Sequence, residues 1–401
     1  MIKNFIFIIA VFFIFEFYIF QAVKNLTTSP ILKTLYWVLT LSVYGLLAYE
    51  MLSFNAADRS TRRLQIILSV FLIFLLPKIL ILISLLINDS IRLVEWGARY
   101  ATGSTTHLPE RRTFISALGI GLAGLLSLAV TDGIIFGKYR HRARRVKLKL
   151  KNLPEAFKGY RIVQISDIHS GSFAHPEKLQ SAIDLINQQK PDLALFTGDM
   201  VNNYAEEFEP FVDLFAQIKA KDGKFSVLGN HDYGDYGQWN STEEKAQNIP
   251  NLIQLQAKAG FEMLRNEHRI IERNQQKLYI IGVENWGEKP FPQYGDLDKA
   301  TQGVPTEATK ILMSHDPTHF DYVVKHHPKD IQLTLSGHTH GMQFGIDLKN
   351  VRWSPVQYRY AKWADLYESL GKYLYVNRGF GVIGYPGRVG INPEITVIEL
   401  V

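Results

Sequence analysis

The chain contains no cysteine. Disulfides and thiolate-held metals are therefore excluded, and any metal must be held by His, Asp, Glu or Asn. Charge is scarce in the first third, which is apolar and aromatic, while the remainder reads as an ordinary α/β protein. That shift sets a boundary near residue 140, giving an expected membrane region over 1–140 and a second domain over 146–401. No internal repeat, low-complexity segment or nucleic-acid-binding motif is present, and no nucleic-acid partner is expected. The net charge of +6 is concentrated after the last apolar run, in Lys138, Arg140, Arg142, Arg144, Arg145, Lys147 and Lys149. A basic cluster beside an apolar run points to phospholipid headgroups.

Four apolar runs have the roughly 20-residue length that a bilayer demands. They cover residues 5–23, 35–54, 64–87 and 114–136. Four such runs leave too little polar surface for a globular core, so an integral cell (inner) membrane protein is expected. Glu16 and Lys78 lie deep in two of them and are expected to pair, while Glu50 and Asp132 lie near span ends. Counts of Lys and Arg between the runs favour a cytoplasmic C-terminal domain. Against this, Arg111-Arg112 ahead of the fourth run resembles a twin-arginine export signal. Val146 to Leu150 alternates apolar with basic residues, as a half-exposed strand does, so these charges need not direct topology. The reading leans to an extracytoplasmic domain.

From residue 146 strands alternate with helices. Strands are expected at 161–166, 193–197, 225–228, 278–283, 311–314, 333–336, 374–376 and 395–400, with helices at 179–189 and 211–220. This predicts a layered α/β sheet domain flanked by helices. About 255 residues suffice for one sizeable core. In such folds ligands sit at the carboxyl ends of strands. Five strands here run into metal-type residues at that end. They are Asp167 and His169, then Gly198 and Asp199, then Gly229, Asn230, His231 and Asp232, then His315, then Gly337, His338, Thr339 and His340. Five of the twelve histidines lie at these positions. One Asp-x-His alone would mean little, but packing gives no reason for five strand ends to share this chemistry. Carboxylate, imidazole and amide donors together suit two divalent ions that clamp a phosphoryl group and acidify water.

The order Asp-x-His, Gly-Asp, Gly-Asn-His-Asp, His and Gly-His-Thr-His resembles the calcineurin-like metallophosphoesterases over about residues 146–401. The resemblance implies two divalent metal ions, Mn among the usual choices with Fe, Zn or Mg, and attack by a metal-bound hydroxide. It implies that Asp167, His169 and His340 hold one ion, that Asn230, His315 and His338 hold the other, and that Asp199 bridges them. His231 would lie near the phosphate and protonate the leaving group. Several relatives carry an acid three residues after the bridging Asp. Here Asn202 stands there, so its amide is expected to orient His231, with Asp232 as a further candidate for that support. Met342 replaces a glycine common in relatives.

A narrower resemblance, through Leu153-Pro154, the run 161–167, Asn377-Arg378-Gly379 and Pro393-Glu394-Ile395, is to a bacterial envelope subgroup. Some of its members cleave the pyrophosphate of UDP-diacylglucosamine. It implies a phosphorylated small-molecule or lipid substrate. Arg378 and Arg388 are candidate phosphate donors, with surface ion pairs as the alternative. His326-His327 is expected to face solvent, because adjacent helical residues point apart. Trp286, Trp353 and Trp363 are expected to pack in the core. A membrane sensor built on an inactive domain of this kind would have lost one or two ligands, and all seven are present.

Overall fold

The computed structural model describes residues 2–53, 62–102, 109–349 and 351–401, with side chains described from residue 11. It separates into two compact units, one over Met1–Asn55 and Arg62–Asp132, the other holding Gly133–Val401.

The first unit is helical. Its elements are α1 (Ile2–Leu26), α2 (Pro30–Leu52), α3 (Arg62–Val70), α4 (Leu76–Thr102) and α5 (Pro109–Ile135). Ser29 caps α2 by accepting from the Leu32 N–H, and Pro30 sits in the first turn, where no N–H is needed. A single π-helical turn, Phe71–Leu75, joins α3 to α4. Pro77 follows directly and cannot donate to the Ile73 carbonyl four residues back. The Ser127 hydroxyl from α5 donates to that carbonyl instead, at 2.8 Å.

Three helical runs among the described residues are long and apolar enough to cross a bilayer: Pro30–Leu52, Arg62–Ala101 and Glu110–Ile135. The expected run 64–87 lies inside a 40-residue helical segment. At 1.5 Å per residue that segment is about 60 Å long, twice a hydrocarbon core, so its polar C-terminal part extends beyond one. The expected run 5–23 falls within α1, its side chains up to residue 10 lying outside the described ones. Residue 54, the expected end of the second run, also lies outside the described residues.

Glu16 and Lys78 are both buried and do pair. The Lys78 Nζ donates to both Glu16 oxygens at 2.7 and 2.8 Å. The hydroxyls of Tyr36 and Tyr44 donate to the same carboxylate at 2.6 Å. Every lone-pair direction of the buried anion is thereby engaged, which is what makes a buried charge tolerable. Arg111 and Arg112 stand in the first turns of α5, and Arg111 pairs with Glu95.

The second unit is two six-stranded sheets. In chain order the strands are β1 (Arg142–Leu148), β2 (Arg161–Ile165), β3 (Leu193–Phe196), β4 (Lys224–Ser226), β5 (Glu262–Met263), β6 (Glu267–Arg273) and β7 (Gln276–Gly282). They continue with β8 (Lys310–Met313), β9 (Leu333–Ser336), β10 (Ile346–Asp347), β11 (Arg352–Trp353), β12 (Asp365–Ser369), β13 (Lys372–Val376) and β14 (Glu394–Leu400). One sheet has the order β1-β14-β2-β3-β4-β5, the other β12-β13-β9-β8-β7-β6, and β10 and β11 form a separate hairpin.

The period-two pattern explains the layering. Ile162, Leu193, Leu195 and Val227 meet Leu278, Ile280, Ile311, Met313 and Leu335 in the core between the sheets. The alternate residues Val163, Ala194 and Phe196 face outward against α6 (Gln180–Gln188), α7 (Val212–Ala216) and α8 (Thr242–Lys258). Ile281, Leu312 and Leu374 turn to the other outer face, under Leu297 and Phe320. The result is helix, sheet, sheet, helix.

Four expectations change here. First, β1 begins at Arg142, not Val146, and pairs in parallel with β14. Three residues of the basic cluster have partners within the fold: Arg144 pairs with Asp347, Arg145 donates to Gln189, and Lys147 pairs with Glu399. Second, Arg378 is buried between Asp365, Glu394 and Asp347, so it is a structural cation held by three carboxylates. Third, Arg388 is buried too, donating to the Gly381 and His340 carbonyls. Fourth, His326 is exposed but the His327 ring is buried and meets Asp298 at 3.0 Å. Of the tryptophans, Trp363 is buried with Tyr360 and Ile391, and Trp286 stacks on His319.

Candidate metal centre

The loops after β2 and β3 run side by side beyond the strands. Asp167 N–H donates to the Gly198 carbonyl, and His169 N–H to the Asp199 carbonyl, at 2.9 and 3.2 Å. The ladder thus continues past the sheet edge and fixes the two loops against each other. Asp167, His169, Asp199, His338 and His340 all have left-handed backbones, with φ between 48° and 70°. Non-glycine residues avoid this region, and its concentration at one site marks backbone strain held by the surroundings. Space is equally tight: a Cβ on Gly229 would lie 2.2 Å from an Asp199 oxygen, so only glycine admits that carboxylate.

The seven expected ligand residues gather into two clusters. Asp167, His169 and His340 form one, and Asp199, His315 and His338 the other, each with one donor atom per residue within 4.8 Å of the rest. Asp199 faces both. Its Oδ2 lies 3.5 Å from His169 Nε2 and 3.0 Å from His315 Nε2, while Oδ1 accepts from the His231 N–H at 2.9 Å. Asn230 joins the second cluster, with Oδ1 2.9 Å from His338 Nδ1. Its Nδ2 donates to the Tyr236 hydroxyl at 3.0 Å, which leaves the amide oxygen directed at the cluster.

Imidazole nitrogens face one another in both clusters. His169 Nε2 and His340 Nε2 are 3.0 Å apart, and His338 Nδ1 and His315 Nε2 are 3.3 Å apart. Lone pairs at such distances repel unless positive charge lies between them. Burial raises a carboxyl pKa, yet Asp167 and Asp199 are held below the usual range because neighbouring imidazoles outweigh that burial. Burial would likewise lower His315, but the Asp199 carboxylate overrides it and pushes the ring up to about 10. His169 and His338 are held low by burial. The His315 Nδ1 lies 2.8 Å from the Thr197 carbonyl, which fixes a proton there and makes Nε2, beside Asp199, the nitrogen at which a metal would replace the second proton. The donor chemistry therefore fits divalent cations at both clusters.

His231 lies beside them, its ring edge-to-face with His169 at 4.9 Å and tilted against Tyr236 at 4.6 Å. Its support differs from expectation in two ways. The Nδ1 contacts the Asn202 backbone carbonyl at 2.8 Å, while the Asn202 amide is engaged with Ser172. Asp232 does not touch the imidazole. Its buried carboxylate accepts the N–H groups of Gly229, Asp199, Met200 and Val201, clamping the two loops.

Residues 160–342 match the family Calcineurin-like phosphoesterase. Residues 2–138 match a second family, described as the transmembrane domain of a probable calcineurin-like phosphoesterase. Over residues 160–342 the chain carries a calcineurin-like phosphoesterase domain. A transmembrane protein with metallophosphoesterase domain from Danio rerio is 29% identical over 263 residues, covering 64% of this chain and 56% of that protein. The chain thus spans little more than half of that relative. An uncharacterised metallophosphoesterase of Bacillus subtilis is 29% identical over 298 residues, covering 73% of this chain and 97% of its own. A phosphodiesterase of Escherichia coli is 28% identical over 249 residues, covering 60% and 82%.

Two further residues of this site escaped the sequence. The Tyr360 hydroxyl lies 2.8 Å from His338 Nε2, and Asp316 Oδ2 lies 3.4 Å from the same nitrogen. That Asp316 oxygen is buried and has no hydrogen-bond partner, while Oδ1 accepts twice from Thr318. A carboxylate behind a metal-type imidazole sets which nitrogen keeps the proton.

Proposed function

We propose that the chain is a membrane-bound hydrolase of phosphoester or pyrophosphate bonds, working at a centre for two divalent ions. The observation that carries this reading is Asp199, whose Oδ2 faces an imidazole of each cluster. Asp167, His169 and His340 would hold one ion and Asn230, His315 and His338 the other, with Asp199 shared. Mixed oxygen and nitrogen donors suit Mn, and also Fe, Zn or Mg. When bound, such a pair neutralises charge on the phosphoryl oxygens and lowers the pKa of water.

The chain's own groups do the rest. Asn202 holds a proton on His231 Nδ1, so Nε2 is the nitrogen that can hand a proton to the departing oxygen. Tyr236 fixes the Asn230 amide and flanks the His231 ring. The substrate is a phosphorylated small molecule or lipid. The protein sits in the cell membrane with its catalytic unit on the extracytoplasmic face, a reading supported by Arg111-Arg112 at the start of α5 and checked with a C-terminal topology reporter.

The test uses the full chain in lipid nanodiscs, stripped of metal, with bis-p-nitrophenyl phosphate as substrate. Turnover should return on adding Mn²⁺ and saturate near two ions per chain. Asp199→Asn should lose most of it. Two bound ions without turnover would instead make the domain a binding module, and wild-type turnover in Asp199→Asn would refute the shared ligand.

A further inference from the structure

The second unit carries an apolar surface beside its metal-type residues. The β10–β11 hairpin exposes Ile346, Leu348 and Val351, and Leu348 is 68% exposed. Two adjoining turns add Met342, two residues beyond His340, and Tyr358, which is 80% exposed. The Ser354 hydroxyl ties these turns together by donating to the Gly341 carbonyl at 2.8 Å. Lone exposed apolar residues are ordinary, but several on bonded neighbouring elements mark a contact surface.

The root of the hairpin is rigid. Asp347 is paired with Arg144 of β1 and lies 3.2 Å from Arg378 Nε. Gly345 N–H donates to the Val389 carbonyl, and Val389 N–H to the Gln343 carbonyl. The preceding residue, Arg388, donates its N–H to the Gly133 carbonyl in the last turn of α5 at 3.1 Å. The root of the hairpin is therefore two backbone pairings from Gly133, where the chain leaves an apolar helix. Adjacent paired backbones lie about 5 Å apart, so this distance is on the order of 10 Å. Ile135 and Phe136, where α5 ends, are exposed as well. Lys349, exposed at the hairpin tip, adds a cation suited to anionic headgroups.

We propose that the β10–β11 hairpin, with Met342 and Tyr358, docks into the headgroup layer of the bilayer that α5 crosses. The occupant of this surface is phospholipid, because the root of the hairpin is backbone-paired, through Val389 and Arg388, to Gly133, where the chain leaves an apolar helix, and the tip carries a cation. Aromatic and aliphatic side chains next to a cation are the composition of interfacial anchors. The docking holds the His338–Met342 turn at the edge of the bilayer.

The absence of cysteine makes the test direct. Single-cysteine variants Leu348→Cys, Val351→Cys and, as a control, Leu370→Cys are labelled with an environment-sensitive fluorophore. Leu370, also 68% exposed, sits in the β12–β13 turn. The full chain is placed in nanodiscs of phosphatidylcholine and phosphatidylglycerol, with or without doxyl-labelled lipid. Labels at 348 and 351 should be quenched several-fold more than the label at 370. In a Tyr358→Cys background, adding Leu348→Glu and Val351→Glu should abolish the quenching while bound metal per chain is unchanged. Equal quenching at 348 and 370 overturns the proposal. So does protection at 348 that depends on protein density and ignores doxyl lipid, which would make the surface an interface between copies. The readout needs no catalysis, so failure of the phosphoesterase reading, seen in the diester assay, stays separate.

Discussion

The Nδ1 proton of His231 is tied to a carbonyl, so a single nitrogen remains for substrate. His231→Ala should therefore retain two ions per chain by elemental analysis while the rate falls about 10²–10⁴-fold, the usual range for general acid catalysis. Loss of an ion instead would make His231 a ligand. Asp316 acts one step further out. Its unpartnered oxygen beside His338 Nε2 is the acceptor that favours a proton there and a lone pair on Nδ1. Asp316→Asn should weaken metal at the His338 cluster by about 10–100-fold. Chelator competition with Mn²⁺ measures this, and unchanged affinity would leave Asp316 a packing role alone. The residues of the two clusters were legible in the sequence because each group follows an apolar strand directly. Asp316 and Tyr360 were not, because their common partner, His338, is 22 residues away from each and only the folded loops bring them together. Asn202 lies beside His231, but its backbone carbonyl makes the contact, which side-chain identity does not report.

At the scale of elements, the loop after β3 is held by two carboxylates of different character. Asp232 clamps it to the Gly229 turn, and Glu207 accepts the N–H groups of Asn202 and Tyr204 at 2.6 and 3.4 Å. Burial pushes the Glu207 carboxyl up to about 7, against the opposing effect of those N–H groups. The sign follows from this raised value. Below about pH 4.5 both folded and unfolded chains hold the proton, and stability is full. As pH rises toward 7 the unfolded chain releases the proton first, and stability falls by up to about 3 kcal/mol. Glu207→Gln should flatten that slope between pH 4.5 and 7 in thermal melts, and an unchanged slope would assign the dependence to another group. The main strands could be read from their apolar runs. The β10–β11 hairpin could not, since two-residue strands carry no periodicity. Helix α8 was also missed, because polar Asn248 and Gln256 share its buried face with Leu252 and Leu255.

For the whole molecule, two compact units with separate cores imply two unfolding events. Both metal-type clusters lie in the second unit. Added Mn²⁺ should raise the melting of that unit alone, by about 2.7 kcal/mol at a hundredfold excess over Kd. Calorimetry of the full chain in nanodiscs, with and without chelator, reads this directly. A metal-dependent shift in both transitions would mean that the units unfold together.

The strand β14 lies between β1 and β2, inside its sheet, although it follows every other strand in the chain. A ribosome therefore delivers the helices of the first unit, and all the metal-type residues, well before the piece that joins β1 to the rest. During synthesis β1 waits, beside the end of α5, for a neighbour that has yet to emerge. The sheet that carries the loops after β2 and β3 is thus completed by the last strand to be made.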